Sequence, residues 1–163
     1  MPKFYSTKTY GNDRGLSCCF RQWRSTHSHC SLLHGYSIGI RLVFEADTLD
    51  SRNWVMDFGG LKKFKQWAEH MFDHTMLIAE DDPYLEMFKK IGEINDGYKN
   101  LGVADLRIVP AVGCEKFAEM AYHKMAEIIE EMKADKNIII NGSVRVKSVE
   151  VFEHESNSAI YEG

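Results

Sequence analysis

Apolar positions along this chain switch between a two-residue and a three-to-four-residue period, and the switches mark out its elements. Leu16 to Trp23 reads as a strand interrupted only by polar residues at alternate places. From His34 to Ala46 the alternation is clearest: Tyr36, Ile38, Ile40, Leu42 and Phe44 fall on one face, and Ser37, Gly39 and Arg41 on the other. His34 shares the face of Tyr36, so their side chains are expected to point toward one centre. A polar turn through Asp47 to Asn53 leads by Trp54-Val55-Met56-Asp57-Phe58 and Gly59-Gly60 into a helical pattern. Leu61, Phe64, Trp67, Ala68, Met71 and Phe72 recur at helical spacing, which predicts an amphipathic helix ending near Asp73-His74.

Met76 to Ala79 continues as a short apolar segment. The stretch from Glu80 to Asn100 reads as an excursion with its own helix around Pro83 to Phe88, punctuated by Gly92, Asn95, Gly97 and Asn100. Arg107-Ile108-Val109 is a short extended piece entering Pro110, and a second long helix buries Phe117, Ala121, Met125, Ile128, Ile129 and Met132. Asn141-Gly142 separates it from a final strand, Ser143 to Phe152, and Ser158 to Tyr161 adds a short last one. Strands paired at each end with helices between them predict an α+β fold: an antiparallel four-stranded sheet with two long helices on one face. Such an open sheet leaves hydrogen-bonding edges, and pairing edges between subunits is the obvious way to hide them.

The chain of 163 residues fits one domain, 1–163, and its 44% hydrophobic content suffices for a substantial core. Its formal charge is -4 with Lys and Arg scattered, which gives no electrostatic reason to expect nucleic acid or a membrane surface as partner. A small ligand is expected instead. The start, Met1-Pro2-Lys3-Phe4-Tyr5-Ser6, lacks the apolar core of a signal peptide, and no apolar run approaches bilayer length, so a cytoplasmic location is expected. In that reducing compartment Cys18, Cys19, Cys30 and Cys114 read as free thiols, with Cys18 and Cys19 buried as small apolar residues.

Three groups carry candidate chemistry. His27, His29, Cys30 and His34 crowd one short stretch, where imidazoles can hold zinc and a thiol beside zinc can become a thiolate; a polar loop is the competing reading. Their spacing lacks the paired cysteines of a closed structural zinc site. Asp73-His74 follows a helix: the carboxylate can orient the imidazole and raise its basicity, or both residues simply end the helix. Glu150, Glu153, His154 and Glu155 crowd the end of a strand, where a carboxylate can accept two parallel hydrogen bonds from an amidine-like ring edge, or form a solvated acidic turn. Glu115 opens the second long helix, where its charge suits the helix dipole. His70 and His123 lie on helices and are given no role.

In order, these elements resemble the family of 6-pyruvoyltetrahydropterin and 6-carboxytetrahydropterin synthases, the tunnelling-fold pterin enzymes. Cys30-Ser31-Leu32-Leu33-His34-Gly35 is similar to the family's Cys-x-x-x-His-Gly-His element, with the short cysteine-to-histidine gap of the carboxy branch. Trp54-Val55-Met56-Asp57-Phe58 with Leu61-Lys62 resembles its hydrophobic-Asp-Phe segment, and Phe72-Asp73-His74-Thr75-Met76-Leu77 its Leu-Asp-His element. Gly113-Cys114-Glu115 stands where Pro-Thr-Ser-Glu begins the family's second helix, and Glu153 matches its terminal pterin-anchoring glutamate. The resemblance implies Cys30 as the proton-abstracting base, Asp73 and His74 as an acid/base dyad, and Glu153 with Glu115 as substrate-binding residues. It also implies zinc as cofactor, 7,8-dihydroneopterin triphosphate as substrate, and a hexamer of two trimers whose sheets close into barrels with sites at subunit interfaces.

The chain departs from the pattern at the metal. Tyr36 replaces the second histidine of His-Gly-His, and the first-strand Phe-x-Ala-Ala-His element appears as Phe20-Arg21-Gln22-Trp23-Arg24, without its histidine. Only His34 maps cleanly; His27 and His29 are the nearest candidates for the other two ligands. The implied activity is that of a zinc-dependent lyase, a 6-carboxytetrahydropterin synthase of 7-deazaguanine (queuosine-type) biosynthesis, or else 6-pyruvoyltetrahydropterin synthase. The competing reading is a pterin- or purine-binding protein of the same fold that has lost metal catalysis.

Overall fold

A computed structural model describes residues 1–94 and 102–163. The expected antiparallel sheet is present, in the order β1 (Phe4–Tyr10), β4 (Gly39–Ala46), β7 (Arg145–His154) and β8 (Asn157–Glu162). Its inner face is the alternation read from the sequence: Ile40, Leu42 and Phe44 on β4 and Val149 and Val151 on β7 are buried. Against that face lie two helices, α1 (Lys62–Phe72), preceded by a 3-10 turn at Phe58–Leu61, and α3 (Cys114–Ala134). Phe64 and Phe72 from α1 and Phe117, Met125, Ile128 and Ile129 from α3 fill the layer between, each 2% exposed or less. Burying a side chain of this size contributes about 1.5–3 kcal/mol, so this one layer carries the fold.

Two features of the sequence reading are corrected. The strand expected from His34 to Ala46 is two strands in two sheets: β3 (His34–Ser37) leaves the large sheet and pairs with β2 (Ser17–Phe20), while only β4 pairs with β1 and β7. The split falls at Ile38 and Gly39, where a side chain on Gly39 would press on the Tyr10 carbonyl (3.0 Å) and the Asn12 amide (3.2 Å). Periodicity runs through this point unbroken, because Ile38 is fully buried on either reading. The second correction is β1, which the apolar pattern does not show: Phe4 and Tyr5 are exposed, and only the last residue, Tyr10, is buried.

β3 and β2 belong to a second, mixed sheet in the order β3, β2, β5 (Thr75–Ala79), β6 (Leu106–Val109), with β2, β5 and β6 parallel. The short apolar segment after the first helix is thus β5, buried along its whole length as a central parallel strand requires. The excursion's helix is α2 (Leu85–Glu93), which packs Phe88 on Met76 and Ile78 as a small separate core. Asn95, Gly97 and Asn100, read as loop punctuation, lie outside the described residues. Among the described residues no helix is long and apolar enough to cross a membrane.

One ion pair holds the loop that carries Cys30. Arg21, just past β2, makes a two-pronged contact with Asp82 (2.8 and 2.9 Å) and donates to the Ser31 carbonyl (3.1 Å). Burial works to raise the Asp82 carboxyl, but hydrogen bonds from Arg21 and the Tyr84 amide hold it below the usual carboxylate range. The Asp82 side chain is 1% exposed and that of Arg21 17%, so removing one partner strands a largely buried charge. Asp82→Asn is expected to lower stability by about 3 kcal/mol, seen as a lower urea midpoint with an unchanged m-value.

Candidate active site

The sheet switch at Gly39 aims β3 at a cleft of about 530 Å³ between β2, the start of α3 and the β7–β8 hairpin. Phe20, Gln22, Cys30, Tyr36, Cys114, Glu115, Glu153 and the hairpin residues Ser156 to Ser158 line it. Cys30 sits in a one-turn 3-10 helix, His29–Ser31, whose cap Ser28 accepts from the Cys30 amide at 3.2 Å. The Cys30 carbonyl accepts from the Gln22 amide at 2.8 Å, so the thiol is held at the rim of β2. Glu115 stands in the first turn of α3 behind Gly113, whose φ of 115° favours glycine and against which the end of the Gln22 side chain packs.

Glu153 reaches the same cleft from the end of β7. It continues the inward face of Val149 and Val151, at a register shift between Phe152 and His154 of the kind that re-aims a side chain. Asn12 fixes that strand end: its amide donates to the carbonyls of Ser37 (2.7 Å) and Phe152 (3.3 Å), tying β3 to β7. Two carboxylates in one cleft set its electrostatics. Burial, then Glu153 and Glu115, push the Cys114 thiol up to about 11; burial, then Glu153, Cys30 and other thiols, push the Tyr36 hydroxyl up to about 12. Both remain protonated donors at neutral pH, while paired carboxylates suit a ring edge rich in N–H groups.

His34 and Tyr36 do converge, as their shared strand face predicts. The His34 Nδ1–H donates to the Leu32 carbonyl at 2.7 Å, which leaves Nε2 as an acceptor, and the Tyr36 hydroxyl donates to it at 2.5 Å. Tyr36 also stacks on Phe20, with ring centroids 4.2 Å apart. Both imidazole nitrogens of His34 are therefore in use. His27 and His29 are exposed and do not join it: among the described residues no three His, Cys, Asp or Glu side chains gather where they could hold a metal ion. The position of the absent first-strand histidine is Arg24, which pairs with Asp81 at 2.8 Å and stacks on Trp23. The residues present do not fit a three-ligand zinc site.

Asp73 and His74 form the expected pair, with Nδ1 and Oδ1 2.5 Å apart, directly after α1. They stand apart from the cleft of their own chain: neither lines it, and the His74 side chain is 85% exposed. Cys30, Glu115 and Glu153 are thus brought together, and the dyad and the histidines are not. Gln22, Cys114 and the Ser156–Ser158 turn complete the wall without having been singled out. Of these, Cys114 alone had a signal, its place beside Glu115 at a helix start.

Two four-stranded sheets, two long helices on the antiparallel one, and a thiol facing two carboxylates at their seam define a small α+β protein of the pterin-synthase type. A family model described as 6-pyruvoyl tetrahydropterin synthase matches residues 12–163, and the chain belongs to that family. It is 25% identical over 132 residues to 6-carboxy-5,6,7,8-tetrahydropterin synthase of Aquifex aeolicus, spanning 81% of this chain and 75% of that one. Its fold is similar to an uncharacterized protein from Wolinella succinogenes (TM-score 0.76, 19% identity, 100% and 99% of the two chains). It is also similar to the 6-pyruvoyl tetrahydropterin synthase of Caenorhabditis elegans (TM-score 0.60, 18% identity, 100% and 97%).

Two outcomes follow from the Tyr36–His34 pair. Purified protein is expected to carry well under one zinc per chain by elemental analysis, and Tyr36→His, which offers a second imidazole on the same strand face, to raise that content. The second outcome concerns alkali. A free tyrosine ionises near 10, so the folded chain holds this proton more tightly than the unfolded one. That contribution is complete below about pH 10 and is lost as pH rises toward 12. Urea denaturation between pH 8 and 11 should show Tyr36→Phe losing less stability over this range than the unaltered chain.

Proposed function

We propose that this chain processes 7,8-dihydroneopterin triphosphate as a lyase, and specifically as a 6-carboxytetrahydropterin synthase serving 7-deazaguanine (queuosine-type) biosynthesis. The observation that carries the reading is the convergence of Cys30, Glu115 and Glu153 on one cleft of heterocycle size. Glu153, with Glu115 beside it, accepts the parallel N–H bonds of the pyrimidine edge, which fixes the ring and points its side chain toward Cys30. Cys30 is then placed to take a proton from the carbon next to the side-chain hydroxyl. The relative from Aquifex aeolicus, named for the carboxy product, and the short spacing from Cys30 to His34 both favour that branch.

The assembly proposed with it is a hexamer of two trimers. It is supported by the two open edges of the large sheet, β1 and β8, and by the exposed Asp73–His74 pair, which becomes an acid/base dyad where a neighbouring copy's cleft meets it. A monomer in light scattering would contradict this part.

A second reading is favoured by the Tyr36–His34 hydrogen bond, which takes the nitrogen that a metal would need. On that reading the chain binds a pterin or purine through Glu153 and does not turn it over. Incubation with 7,8-dihydroneopterin triphosphate, followed by mass spectrometry, separates the two. Turnover that Cys30→Ala reduces by at least about a thousandfold while leaving binding intact supports the lyase. Binding without product, lost in Glu153→Gln, supports the binding protein, and neither binding nor product from folded protein sinks both.

A further inference from the structure

A second cavity, of about 380 Å³, opens between β1 and α1 and shares no lining residue with the cleft. Lys8, Arg14, Lys62 and Lys65 surround it, against one carboxylate, Glu69, in a chain whose net charge is -4. Glu69 lies 3.9 Å from Lys65; among the described residues Lys8, Arg14 and Lys62 have no acidic partner. The charge placement also runs against the helix dipole, since α1 opens with Lys62 and Lys63 and has no acidic residue in its first turn. Clustered cations of this kind repel one another until an anion comes between them.

The floor adds a neutral donor to these cations. Tyr10 is 9% exposed, yet its hydroxyl, at the cavity wall, makes no hydrogen bond to any described residue. Its ring is buried while the hydroxyl opens on the cavity, since among the described residues the buried side-chain polar atom without a partner is Ser6 Oγ. Burial, then the charge of Glu69, raise its ionisation above the usual tyrosine value, so it stays an O–H donor. Leu16, Leu61 and Ala68, all buried, and the half-exposed ring of Phe58 give the rest of the wall an apolar surface.

We propose that this cavity is a binding site for a small organic molecule bearing a phosphate or short polyphosphate, its anion held by Lys8, Arg14, Lys62 and the Tyr10 hydroxyl and its organic part against Phe58 and Leu16. The site shares no lining residue with the cleft of its own chain.

The test is calorimetric titration of the full chain, purified without phosphate and with no pterin present, with inorganic tripolyphosphate and, separately, with ATP. One saturable site per chain is expected, with affinity falling as salt rises. Tighter binding of ATP supports an organic phosphate as occupant; equal binding keeps the anion site but overturns the assignment of the organic part. Lys8→Gln/Arg14→Gln should weaken binding at least about tenfold, and Tyr10→Phe several-fold with the salt dependence unchanged. The control pair Lys89→Gln/Lys90→Gln, on α2, should stay within about twofold of the unaltered chain. Equal thermal melting of the variants shows that they are folded. Absence of saturable binding, or a control that loses as much as the Lys8/Arg14 pair, overturns the proposal.

Discussion

The cleft depends on a crowded crossing at Gly39, where backbone from the end of β1 and the loop after it, and the Phe152 ring of β7, close on one α-carbon. The Tyr10 carbonyl lies 3.0 Å and a Phe152 ring carbon 3.3 Å from where a Cβ would stand. Because there is no side chain, the strand can leave the large sheet and join β2, carrying His34 and Tyr36 to the cleft. The Asn12 amide closes the same crossing by binding the carbonyls of Ser37 and Phe152, one residue before Glu153. A single packing constraint therefore positions both walls of the site. The stability that supports it comes from elsewhere, from the phenylalanines of α1 and α3 on β4.

The cleft's chemistry follows from which charges lack counterions. Glu115 and Glu153 face it without an arginine or lysine among its lining residues, and burial together with the Glu153 charge makes the Cys114 thiol and the Tyr36 hydroxyl harder to ionise. That favours neutral donors in the wall and a ligand whose edge presents several N–H groups. It also explains Tyr36: a phenol held un-ionised is a poor ligand for a cation but a good donor to an imidazole. Once the Leu32 carbonyl has fixed the proton on Nδ1 of His34, Nε2 can only accept, and Tyr36 is the donor within reach.

Most of the fold was legible wherever burial is one-sided. α1, α3, β4 and β7 each show a period that matches their buried face, because one side packs and the other meets water. The pattern failed where both sides are alike. β1 is exposed along most of its length and β5 is buried throughout, so neither alternates; in β1 the tyrosines, threonines and phenylalanine were the remaining signal. It failed again at Ile38, since alternation records which way a side chain points and not which sheet it points from. The site was legible as residue types in order: Cys30, Glu115 and Glu153 do share one cleft. The histidines were not, because two imidazoles close in sequence converge only if the backbone between them lets them, and the turn at His29–Ser31 leaves His27 and His29 in solvent.

His74 shows what the chain keeps in spite of its own stability. Its φ is 58°, in the left-handed region where a residue with a Cβ pays about 1–2 kcal/mol. The conformation lets its amide reach the Ser17 carbonyl, which ties the exit of α1 to the start of β2. An asparagine or glycine would make that turn more cheaply. What only this residue adds is an imidazole whose Nδ1 is held by Asp73 and whose other nitrogen is left facing solvent. A positive φ at an 85% exposed imidazole, where glycine or asparagine would make the same backbone bond, is the observation that supports the proposed dyad, although the pair stands outside the cleft of its own chain.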